Sequence, residues 1–407
     1  MKKEPTNKNS LITKKNALVL GVGFLLGIFS FWLVGIITSP SLSKQKLDTT
    51  LLNKVQSILQ NKYNGDIDYQ KMSEGAAAGA VASLGDPYTV FLDEKSNKEL
   101  NDDLAGELSG IGIEVGQKND RLTVIAPIDG TPADKAGIRA GDYIAAIDGV
   151  DTRTLTIDEA VKKIRGEKGT NVKLTVVRGS ESPKEIEITR DLISVPSVTS
   201  EMKADGVGYI KIRRFGDDTA QEVRKAGLTL NTQGAKVLVL DVRDNPGGYL
   251  QSAVDVASEF YSEGVVVEER SRNSKNKVDT ARPGGALTDL PVVVLINEGS
   301  ASASEILAGA LNDKDNAILV GEKSYGKGSV QEVICLNNVL FTSSCKGPSL
   351  KVTIANWFTP AGVNISKEGI RPEFEVKLST DDANNNRDPQ LDKALELAKQ
   401  EINNFLY

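Results

Sequence analysis

The sequence of 407 residues contains no histidine. This absence excludes Ser-His-Asp and Cys-His catalysis, histidine-ligated zinc and an imidazole proton shuttle. Only two cysteines are present, and alone they cannot hold a structural zinc ion or an iron–sulfur cluster. Acid–base chemistry near neutral pH must therefore use Asp, Glu, Lys or Tyr with a shifted pKa, or a cofactor.

An excess of positive charge is also lacking. The 49 Lys and Arg are outnumbered by 55 Asp and Glu, which gives a net charge of −6. Five lysines lie within the first 40 residues, so the rest of the chain is more acidic than the whole. An acidic body argues against nucleic acid as the main partner. The length predicts two or three domains.

One long apolar run is present near the N-terminus. Residues 17–37 contain no charge, and a helix of that length spans about 31 Å, enough for a hydrocarbon core. A cleaved signal peptide would have a shorter apolar core, and the best cleavage candidate, Ser39-Pro40-Ser41, contains proline. Because Lys14 and Lys15 precede the run, we expect residues 1–16 to be cytoplasmic, 17–37 to be a single-pass anchor and the remainder to lie outside.

That location bears on the two cysteines. Outside the cytoplasm a cysteine pair is more often oxidised than free. Cys335 and Cys345 flank a segment in which Asn337-Asn338 can turn the chain. The sequence therefore predicts a disulfide across this loop, and the alternative is two unrelated thiols.

Three regions follow the apolar run. Residues 48–104 are predicted to be helical, because Leu51, Val55 and Ile58 belong to an apolar series at helical spacing. Residues 105–191 contain short strand patterns around one clear helix, and 192–400 alternate buried strands with helices. We therefore expect a multidomain protein of the α/β and α+β classes.

Two stretches of the middle region resemble a PDZ domain. They are Ser109-Gly110-Ile111-Gly112-Ile113 and the segment AGIRAGDYIAAIDG at 136–149. The resemblance implies a β-rich domain with two helices, in which main-chain N–H groups of Gly110, Ile111, Gly112 and Ile113 receive a peptide carboxylate. The first motif alone also fits a bulged strand, and the second motif at the proper spacing favours the PDZ domain.

A serine-rich turn is the first candidate for catalysis. Residues 297–305 join a predicted buried strand to a predicted helix, so a serine there lies beside free helix N–H groups that can hold an oxyanion. Ser302 and Glu305 also have the spacing of a capping box. Taken alone, the stretch favours a capping or linker role.

A lysine among glycines is the second candidate. Lys327 follows Gly326 and precedes Gly328, which lets the backbone approach closely. A lysine acts as a general base only when neutral, and burial lowers its pKa in that direction. Gln331 lies four residues on, a spacing that shares one face of a strand, and an amide can orient the amine without adding charge. An isolated loop lysine is more often solvated.

A nucleotide-binding interpretation of the same residues is weaker. Residues 321–328 nearly fit the phosphate loop G-x-x-x-x-G-K-[ST]. Gly328 stands where the magnesium-binding hydroxyl should be, and a strand pattern follows where a helix is required. Both departures disfavour a nucleotide site.

Four ordered motifs resemble the carboxyl-terminal processing peptidases, also called tail-specific proteases. They are DVRDNPGG at 241–248, SASASE at 300–305, YGKGSVQ at 325–331, and GVNI with GIRP within 362–372. The similarity spans about 48–400. Asp244 departs from the pattern, since Asn or Gly is expected there.

The resemblance implies Ser–Lys chemistry, which needs no histidine. Ser302 is then the nucleophile, Lys327 its general base and Gln331 the partner that orients the lysine. The main-chain N–H groups of Gly248 and Ala303 are candidates for the oxyanion hole, with Gly247 as a competitor for the first. No cofactor or metal is implied.

The family also suggests partners and regulation. The resemblance implies a membrane-anchored endopeptidase of a bacterial-type cell membrane, which cuts proteins near exposed, apolar C-termini. Its PDZ domain would recognise those C-termini and gate the site, with Arg165 as a candidate relay or simply a solvated helix end. The resemblance also allows a homodimer through residues 48–104, as in some relatives, although nothing in the sequence requires it. The alternative function is a non-catalytic PDZ scaffold on a degenerate peptidase fold.

Overall fold

The computed structural model describes residues 48–405, apart from 119–120, 129, 273, 315–316, 338–344, 346, 367, 380, 383–384 and 386. The predicted cytoplasmic tail and transmembrane helix, 1–16 and 17–37, lie outside the described residues. Within the described part of the chain, no helix is both long and apolar enough to cross a membrane. The chain divides into two compact units, Met1–Met72 and Ser73–Tyr407.

The described part of the first unit contains helix α1 (Thr50–Lys62) and the start of helix α2 (Tyr69–Ala82). The apolar series predicted to be helical does form α1, yet none of its residues is buried. The large exposed side chains of this helix are Leu51, Leu52, Val55 and Ile58. Helix α1 therefore carries an uncovered apolar stripe.

The second unit begins with the rest of α2, and then strand β1 (Val90–Leu92) and helix α3 (Glu94–Ala105) follow. The prediction that 48–104 is helical is correct for α1, α2 and α3 and wrong for β1. Val90, Phe91 and Leu92 are β-branched, aromatic or apolar residues that favour a strand where a partner strand is available. The carboxylate of Asp93 caps α3 by accepting the N–H of Ser96 at 2.7 Å.

The region predicted to be a PDZ domain forms a sheet in the order β3-β4-β5-β7-β8, with β6 paired to β5. Its elements are β3 (Ile113–Lys118), β4 (Arg121–Pro127), α4 (Pro132–Lys135), β5 (Tyr143–Ile147), β6 (Val150–Asp151), α5 (Ile157–Ile164), β7 (Asn171–Val177) and β8 (Lys184–Thr189). The predicted strands and helix are confirmed. Thr131 lies at the N-cap of α4, but its hydroxyl donates to the carbonyls of Gly112 and Ile128 instead of capping the helix.

A two-stranded sheet joins the two ends of this region. It pairs β2 (Glu107–Gly110) with β9 (Asp191–Ser194). The predicted carboxylate-binding loop starts at the end of β2, so this small sheet fixes where the loop begins.

The third region is built on a six-stranded sheet in the order β10-β11-β12-β15-β16-β19, in which β10 is antiparallel and the others are parallel. The strands are β10 (Val198–Met202), β11 (Val207–Ile212), β12 (Val237–Asp241), β15 (Val292–Ile296), β16 (Ala317–Gly321) and β19 (Phe374–Glu375). Four helices cover the sheet, namely α6 (Thr219–Thr232), α7 (Leu250–Ala257), α8 (Ala303–Asp313) and α9 (Pro389–Phe405).

The continuous apolar runs of β12 and β15 are buried on both faces of the sheet. Val237 and Val239 pack in a cluster with side chains of α9, whereas Leu238 and Leu240 pack with side chains of α6, α7 and α8. This two-sided burial explains why these strands lack polar alternation. The carboxyl ends of the parallel strands β12, β15 and β16 meet at one edge of the sheet, where loops can place functional groups.

A second sheet has the order β1-β18-β13-β14, with β17 also paired to β18. Its remaining strands are β13 (Val265–Arg270), β14 (Lys277–Thr280), β17 (Ser329–Cys335) and β18 (Ser349–Phe358). The loop between β16 and β17 carries Lys327, so this lysine lies at the junction of the two sheets.

Candidate active site

Ser302 lies where β15 gives way to α8. It occupies the N-cap of that helix with φ 55° and ψ −114°, a conformation that is costly for a residue with a side chain. Its neighbours Ser300 and Ser304 are fully buried, and their hydroxyls donate to the carbonyls of Val242 and Asn245. Of the three serines in the motif, only Ser302 is partly exposed.

A glycine pair after β12 lies against this turn. A Cβ atom on Gly247, whose φ is 105°, would lie 2.7 Å from the carbonyl oxygen of Ala301 and 2.9 Å from the Cβ of Ser302. A Cβ atom on Gly248 would lie 2.2 Å from the carbonyl oxygen of Phe215. Both positions therefore exclude any side chain, and the main chain closes directly on Ser302.

The hydrogen bonds of Gly247 and Gly248 show which of the two has an N–H group available for an oxyanion hole. The N–H of Gly247 donates to Oδ1 of Asn245 at 2.9 Å, so that donor is already used. No acceptor for the N–H of Gly248 is found among the described residues. Ala303 occupies the first position of α8, where helix N–H groups lack an intrahelical partner. Gly248 and Ala303 thus supply N–H groups beside Ser302.

Asp244 departs from the family pattern for a reason that the backbone makes plain. Its φ is 59°, a left-handed conformation in which Asp is tolerated much as Asn or Gly is. Its N–H donates to Oδ1 of Asn297, and the Asn297 amide donates back to its Oδ1. The residue therefore ties the loop after β12 to the loop after β15.

Lys327 is partly buried in the loop before β17. Its pKa is lowered to about 8, because burial penalises the charged amine and Lys351 adds a like charge nearby, while Glu305 acts in the opposite direction. The indole N–H of Trp357 donates to the main-chain carbonyl of Lys327 at 2.9 Å. The loop is therefore held by its main chain, and no carboxylate of the described residues forms an ion pair with the amine.

Glu305 is a residue whose wider role the sequence did not indicate. Its side chain is fully buried, and burial raises the pKa of its carboxyl while four hydrogen bonds oppose that rise. Oε2 accepts the main-chain N–H groups of Ser302 at 2.9 Å and Lys327 at 3.0 Å. Oε1 accepts the Ser324 hydroxyl at 2.6 Å and the Gly326 N–H at 2.7 Å. One buried carboxylate therefore joins the turn of Ser302 to the loop of Lys327.

Among the described residues, no hydrogen bond joins Lys327 to the predicted orienting residue, Gln331. Its amide donates to Ser329 at 2.8 Å and to Thr353 at 3.3 Å. Lys327 and Gln331 do not share a strand face, because β17 begins only at Ser329. The pairing of β17 with β18 also shifts register between Val330 and Gln331. The even spacing from Lys327 to Gln331 is thus not an uninterrupted strand repeat.

The amine of Lys327 lies beside an aromatic ring. Its Nζ atom is 5.5 Å from the ring centroid of Tyr88. Within the described part of the chain, no hydrogen bond joins Nζ of Lys327 to Oγ of Ser302. The structure brings the elements of the site together without assembling the serine–lysine contact.

The predicted carboxylate-binding loop borders an apolar groove of about 220 Å³. The groove includes Gly110, Ile111, Gly112, Ile113, Val161 and Ile164 in its lining. Arg165 lies at its rim, and a Cβ atom on Gly110 would lie 3.9 Å from the Cα atom of Arg165. The guanidinium pairs with Asp103 of α3 at 3.1 Å. Both partners are about half exposed, so this ion pair contributes little stability and is easily exchanged.

Cys335 and Cys345 are joined by a disulfide in the structure. The buried amide of Asn97 in α3 donates to the carbonyls of Cys345 and Gly347, both at 2.9 Å, and Ser349 donates back to Asn97 at 2.8 Å. Helix α3 is thereby fastened to the same hairpin that carries Gln331.

The phosphate-loop alternative fails on secondary structure. Residues 321–328 are followed by strand β17, whereas a phosphate loop must open a helix whose N-terminus holds the anion.

Comparison with known proteins matches the same regions of the chain. Residues 206–376 match Peptidase family S41, 123–178 match the PDZ domain, and 38–96 match the N-terminal domain of the activating protease CtpB. The chain is 36% identical over 341 residues to the carboxy-terminal processing protease CtpA of Bacillus subtilis, with 84% of this chain and 71% of that protein covered. The chain belongs to the carboxyl-terminal processing peptidases of family S41.

Two further comparisons support this family assignment. The peptidase is 38% identical over 367 residues to the carboxyl-terminal-processing protease of Synechocystis sp., with 86% of this chain and 83% of the relative covered. A solved structure of the photosystem II D1 C-terminal processing protease is similar with a TM-score of 0.52 and 28% identity, covering 81% of this chain and 88% of that one. The protein is thus an S41 serine-type peptidase with a PDZ domain.

Arg243 and Tyr88 are residues of the site that the sequence analysis did not identify. Arg243 pairs with Asp241 and Asp388, which anchors the strand end before the glycine pair to α9. Tyr88 stands beside Lys327 although 239 positions separate them in the sequence. The motif DVR was visible in the sequence, whereas no local pattern indicated the contact of Tyr88.

Proposed function

We propose that this peptidase is an endopeptidase that cleaves proteins near their C-terminus with Ser302 as nucleophile and Lys327 as general base. The observation that carries the proposal is the buried carboxylate of Glu305, whose Oε2 atom binds the main chain of both residues. That shared acceptor keeps the two residues in one site, in which the amine has to approach the hydroxyl to within hydrogen-bond distance before it acts as the base.

The reaction then proceeds in two halves. Lys327 takes the hydroxyl proton as Oγ of Ser302 bonds to the scissile carbonyl carbon, and the N–H groups of Gly248 and Ala303 bind the oxyanion. The C–N bond breaks when Lys327 returns the proton to the leaving amine, which produces an acyl-enzyme. Lys327 next takes a proton from water as the water oxygen bonds to the acyl carbon. It returns that proton to Oγ of Ser302 as the ester C–O bond breaks, which releases the new C-terminus and restores both residues.

The pKa of Lys327 makes this proton transfer feasible near neutral pH. With a pKa of about 8, about one amine in ten is neutral at pH 7. A free lysine with a pKa of about 10.4 would be neutral in only about one molecule in 2,500. Burial and the like charge of Lys351 therefore raise the population of neutral amine by more than a hundredfold. We assign Gln331 the orienting role only in the catalytic arrangement, because in the structure its amide donates to Ser329 and Thr353.

The PDZ domain supports a preference for C-terminal substrates. Gly110, Ile111, Gly112 and Ile113 present main-chain groups next to an apolar groove, which suits a peptide with a free carboxylate and an apolar last residue. Arg165 borders that loop and pairs with Asp103, so a bound peptide could exchange this ion pair and signal occupancy to α3. We assign Arg165 the gating role on that basis.

We further propose that residues 17–37 anchor the peptidase in a bacterial-type cell membrane with its catalytic part outside. The uncharged run and its preceding lysines support this orientation, and the disulfide between Cys335 and Cys345 suits an oxidising compartment. Protease protection of intact cells and spheroplasts tests the orientation. Equal masses before and after reduction and alkylation would contradict the disulfide.

The homodimer expected through residues 48–104 remains a prediction. The apolar stripe of α1 offers a surface for a second copy, and sedimentation of the wild type beside Val55→Lys tests whether that stripe holds two chains together.

The decisive experiment compares the wild type with Ser302→Ala and Lys327→Ala on a protein substrate with an apolar C-terminus. The wild type should cleave it, and both variants should lose activity. Ser304→Ala is the matched control, since that hydroxyl only binds the carbonyl of Asn245. An inert wild type that still binds apolar C-termini would instead favour the non-catalytic scaffold, and full activity of either variant would refute the mechanism.

A further inference from the structure

The ring of Tyr88 is the group that receives the amine of Lys327. The separation of 5.5 Å between Nζ and the ring centroid lies inside the ~6 Å range of a cation–π interaction. Among the residues that the structure describes, Nζ has no hydrogen bond and no ion pair. The protonated amine therefore rests on the face of Tyr88.

Tyr88 is held in this place by a turn that is attached to the second sheet. Its N–H donates to Oδ1 of Asp86 at 3.0 Å, and the Thr89 hydroxyl donates to Oδ2 of the same carboxylate at 2.6 Å. The Thr89 oxygen in turn accepts the N–H of Thr353 on β18 at 3.0 Å. The turn is consequently fixed to the strand that pairs with β17.

The phenol end of Tyr88 is held from the other side. A hydrogen bond with the side chain of Tyr325, together with burial, raises the pKa of Tyr88 to about 12, so its hydroxyl stays neutral. The main-chain N–H of Tyr325 donates to the carbonyl of Ser300 at 3.0 Å, two residues before the nucleophile. Tyr88 therefore contacts the loop of the base and is linked to the turn of the nucleophile.

Among the described residues, no counter-ion forms an ion pair with the amine in place of the ring. The charged groups that act on the pKa of Lys327 are Lys351 and Glu305, and the groups that act on the pKa of Tyr88 are Tyr325, Asp86 and Glu305. Both oxygens of Glu305 already accept hydrogen bonds from other groups, and Asp86 binds Tyr88 and Thr89. Lys351 repels the amine. The aromatic face is thus the favourable place that remains.

We propose that Tyr88 is a positioning residue whose ring holds the amine of Lys327 in a resting position, which the amine must leave before it takes the proton of Ser302. The inference rests on the proposed function, since it requires Lys327 to be the base. The ring stabilises the protonated resting state, so leaving it adds to the activation barrier of every turnover. The hydroxyl of Tyr325 keeps the ring of Tyr88 in this position through their hydrogen bond.

The test is the pH dependence of kcat/KM for the wild type and Tyr88→Leu on the apolar-tailed substrate. Loss of the ring should raise kcat/KM at pH 7 by about two- to five-fold, the range that a cation–π contact supplies, and should move the acidic limb to lower pH. Tyr88→Phe and Tyr325→Phe keep the ring and remove one hydroxyl, so each should give a smaller rise in the same direction.

The control is Tyr143→Leu, which removes a comparable contact between Arg121 and an aromatic ring, 5.2 Å apart, in the PDZ domain. It should leave both the rate and the pH profile unchanged. A lower kcat/KM with an acidic limb at higher pH in Tyr88→Leu would show that the ring shields the neutral amine from water, and would overturn the proposal. An unchanged profile would also overturn it.

Two further readouts keep the outcomes distinct. Thermal unfolding of each variant shows whether Tyr88→Leu folds. If it does not, the sign of the change in kcat/KM of Tyr88→Phe and Tyr325→Phe decides the test. Lys327→Ala is assayed in the same series. Activity retained in Lys327→Ala would refute the proposed function itself, whereas its loss combined with an unaltered Tyr88→Leu refutes the role of Tyr88 alone.

Discussion

Lys327 donates its main-chain N–H to Oε2 of Glu305 at 3.0 Å, across 22 positions of the sequence. The same oxygen accepts the N–H of Ser302 at 2.9 Å. Both bonds use main-chain groups, so a substitution of either side chain leaves these two donors in place. The hydrogen bonds that hold the two loops together are therefore separate from the side-chain atoms that are proposed to react.

Glu305→Gln should damage both stability and activity. An amide offers one acceptor oxygen, so two of the four donors would face its NH₂ group whichever way it turned. Two unpaired buried donors cost about 2–5 kcal/mol of unfolding free energy, and we expect kcat/KM to fall at least about tenfold. Urea unfolding and the peptidase assay measure the two effects. Glu332→Gln on the exposed side of β17 is the control, and wild-type behaviour of Glu305→Gln would contradict the account.

Lys351→Gln should make Lys327 a poorer base at neutral pH. Removal of a like charge favours the protonated amine, so the pKa of Lys327 should rise above about 8. The acidic limb of kcat/KM should then move to higher pH, with recovery of the rate in alkaline buffer. Lys351→Arg keeps the charge and should keep the limb in place. A limb that moves to lower pH in Lys351→Gln would show that the two amines do not interact as described.

Lys327→Met should stabilise the fold while it abolishes catalysis. The folded-state pKa of about 8 lies below the unfolded value of about 10.4, so the unfolded chain binds more protons between these values. At pH 7 the buried charge therefore costs stability, and its removal should add about 1–3 kcal/mol of unfolding free energy. The difference between wild type and variant should shrink as pH rises towards about 10.5.

Denaturant unfolding at neutral and alkaline pH measures that difference. Because the two amines repel each other, the same comparison in a Lys351→Gln background removes the part that comes from Lys351. Equal stability at pH 7 would argue that the amine is well solvated in the folded state.

Gly247→Ala should silence the peptidase. The new methyl group would lie 2.7 Å from the carbonyl oxygen of Ala301, and it would push the nucleophile turn away from the glycine pair. We expect kcat/KM to fall at least about a hundredfold, as removal of an oxyanion donor does. Gly284→Ala is a matched control, because its φ of 100° is similar and nothing lies within 4 Å of the added Cβ atom. Equal losses in both variants would assign the effect to backbone strain alone.

The buried strands and the loops at their ends could be predicted because the information is local. A continuous apolar run such as that of β12 has no polar face to present, so it must be covered on both sides. The following Gly247 and Gly248 then indicate a close approach of the main chain. The strand β1 was missed since its stability comes from pairing with β18, which the local pattern does not contain.

The contacts between distant segments could not be predicted in the same way. The capping-box spacing indicated one bond of Glu305, the one to Ser302, but not the three that reach 324–327. The even spacing from Lys327 to Gln331 is a local pattern, but it did not predict a shared strand face correctly. A register shift between Val330 and Gln331 interrupts the two-residue strand repeat. Tyr88 carries no local signal at all.

The way in which Ser302 is anchored has a practical consequence for finding natural targets. Its main-chain N–H binds the carboxylate of Glu305, and alanine keeps that N–H, so Ser302→Ala should leave the loops and the peptide groove as they are. Such an inert protein would bind its clients without cutting them. Expressed in its native cells and crosslinked there, the variant should retain the proteins that the peptidase cleaves, and mass spectrometry of the captured proteins would identify their C-termini.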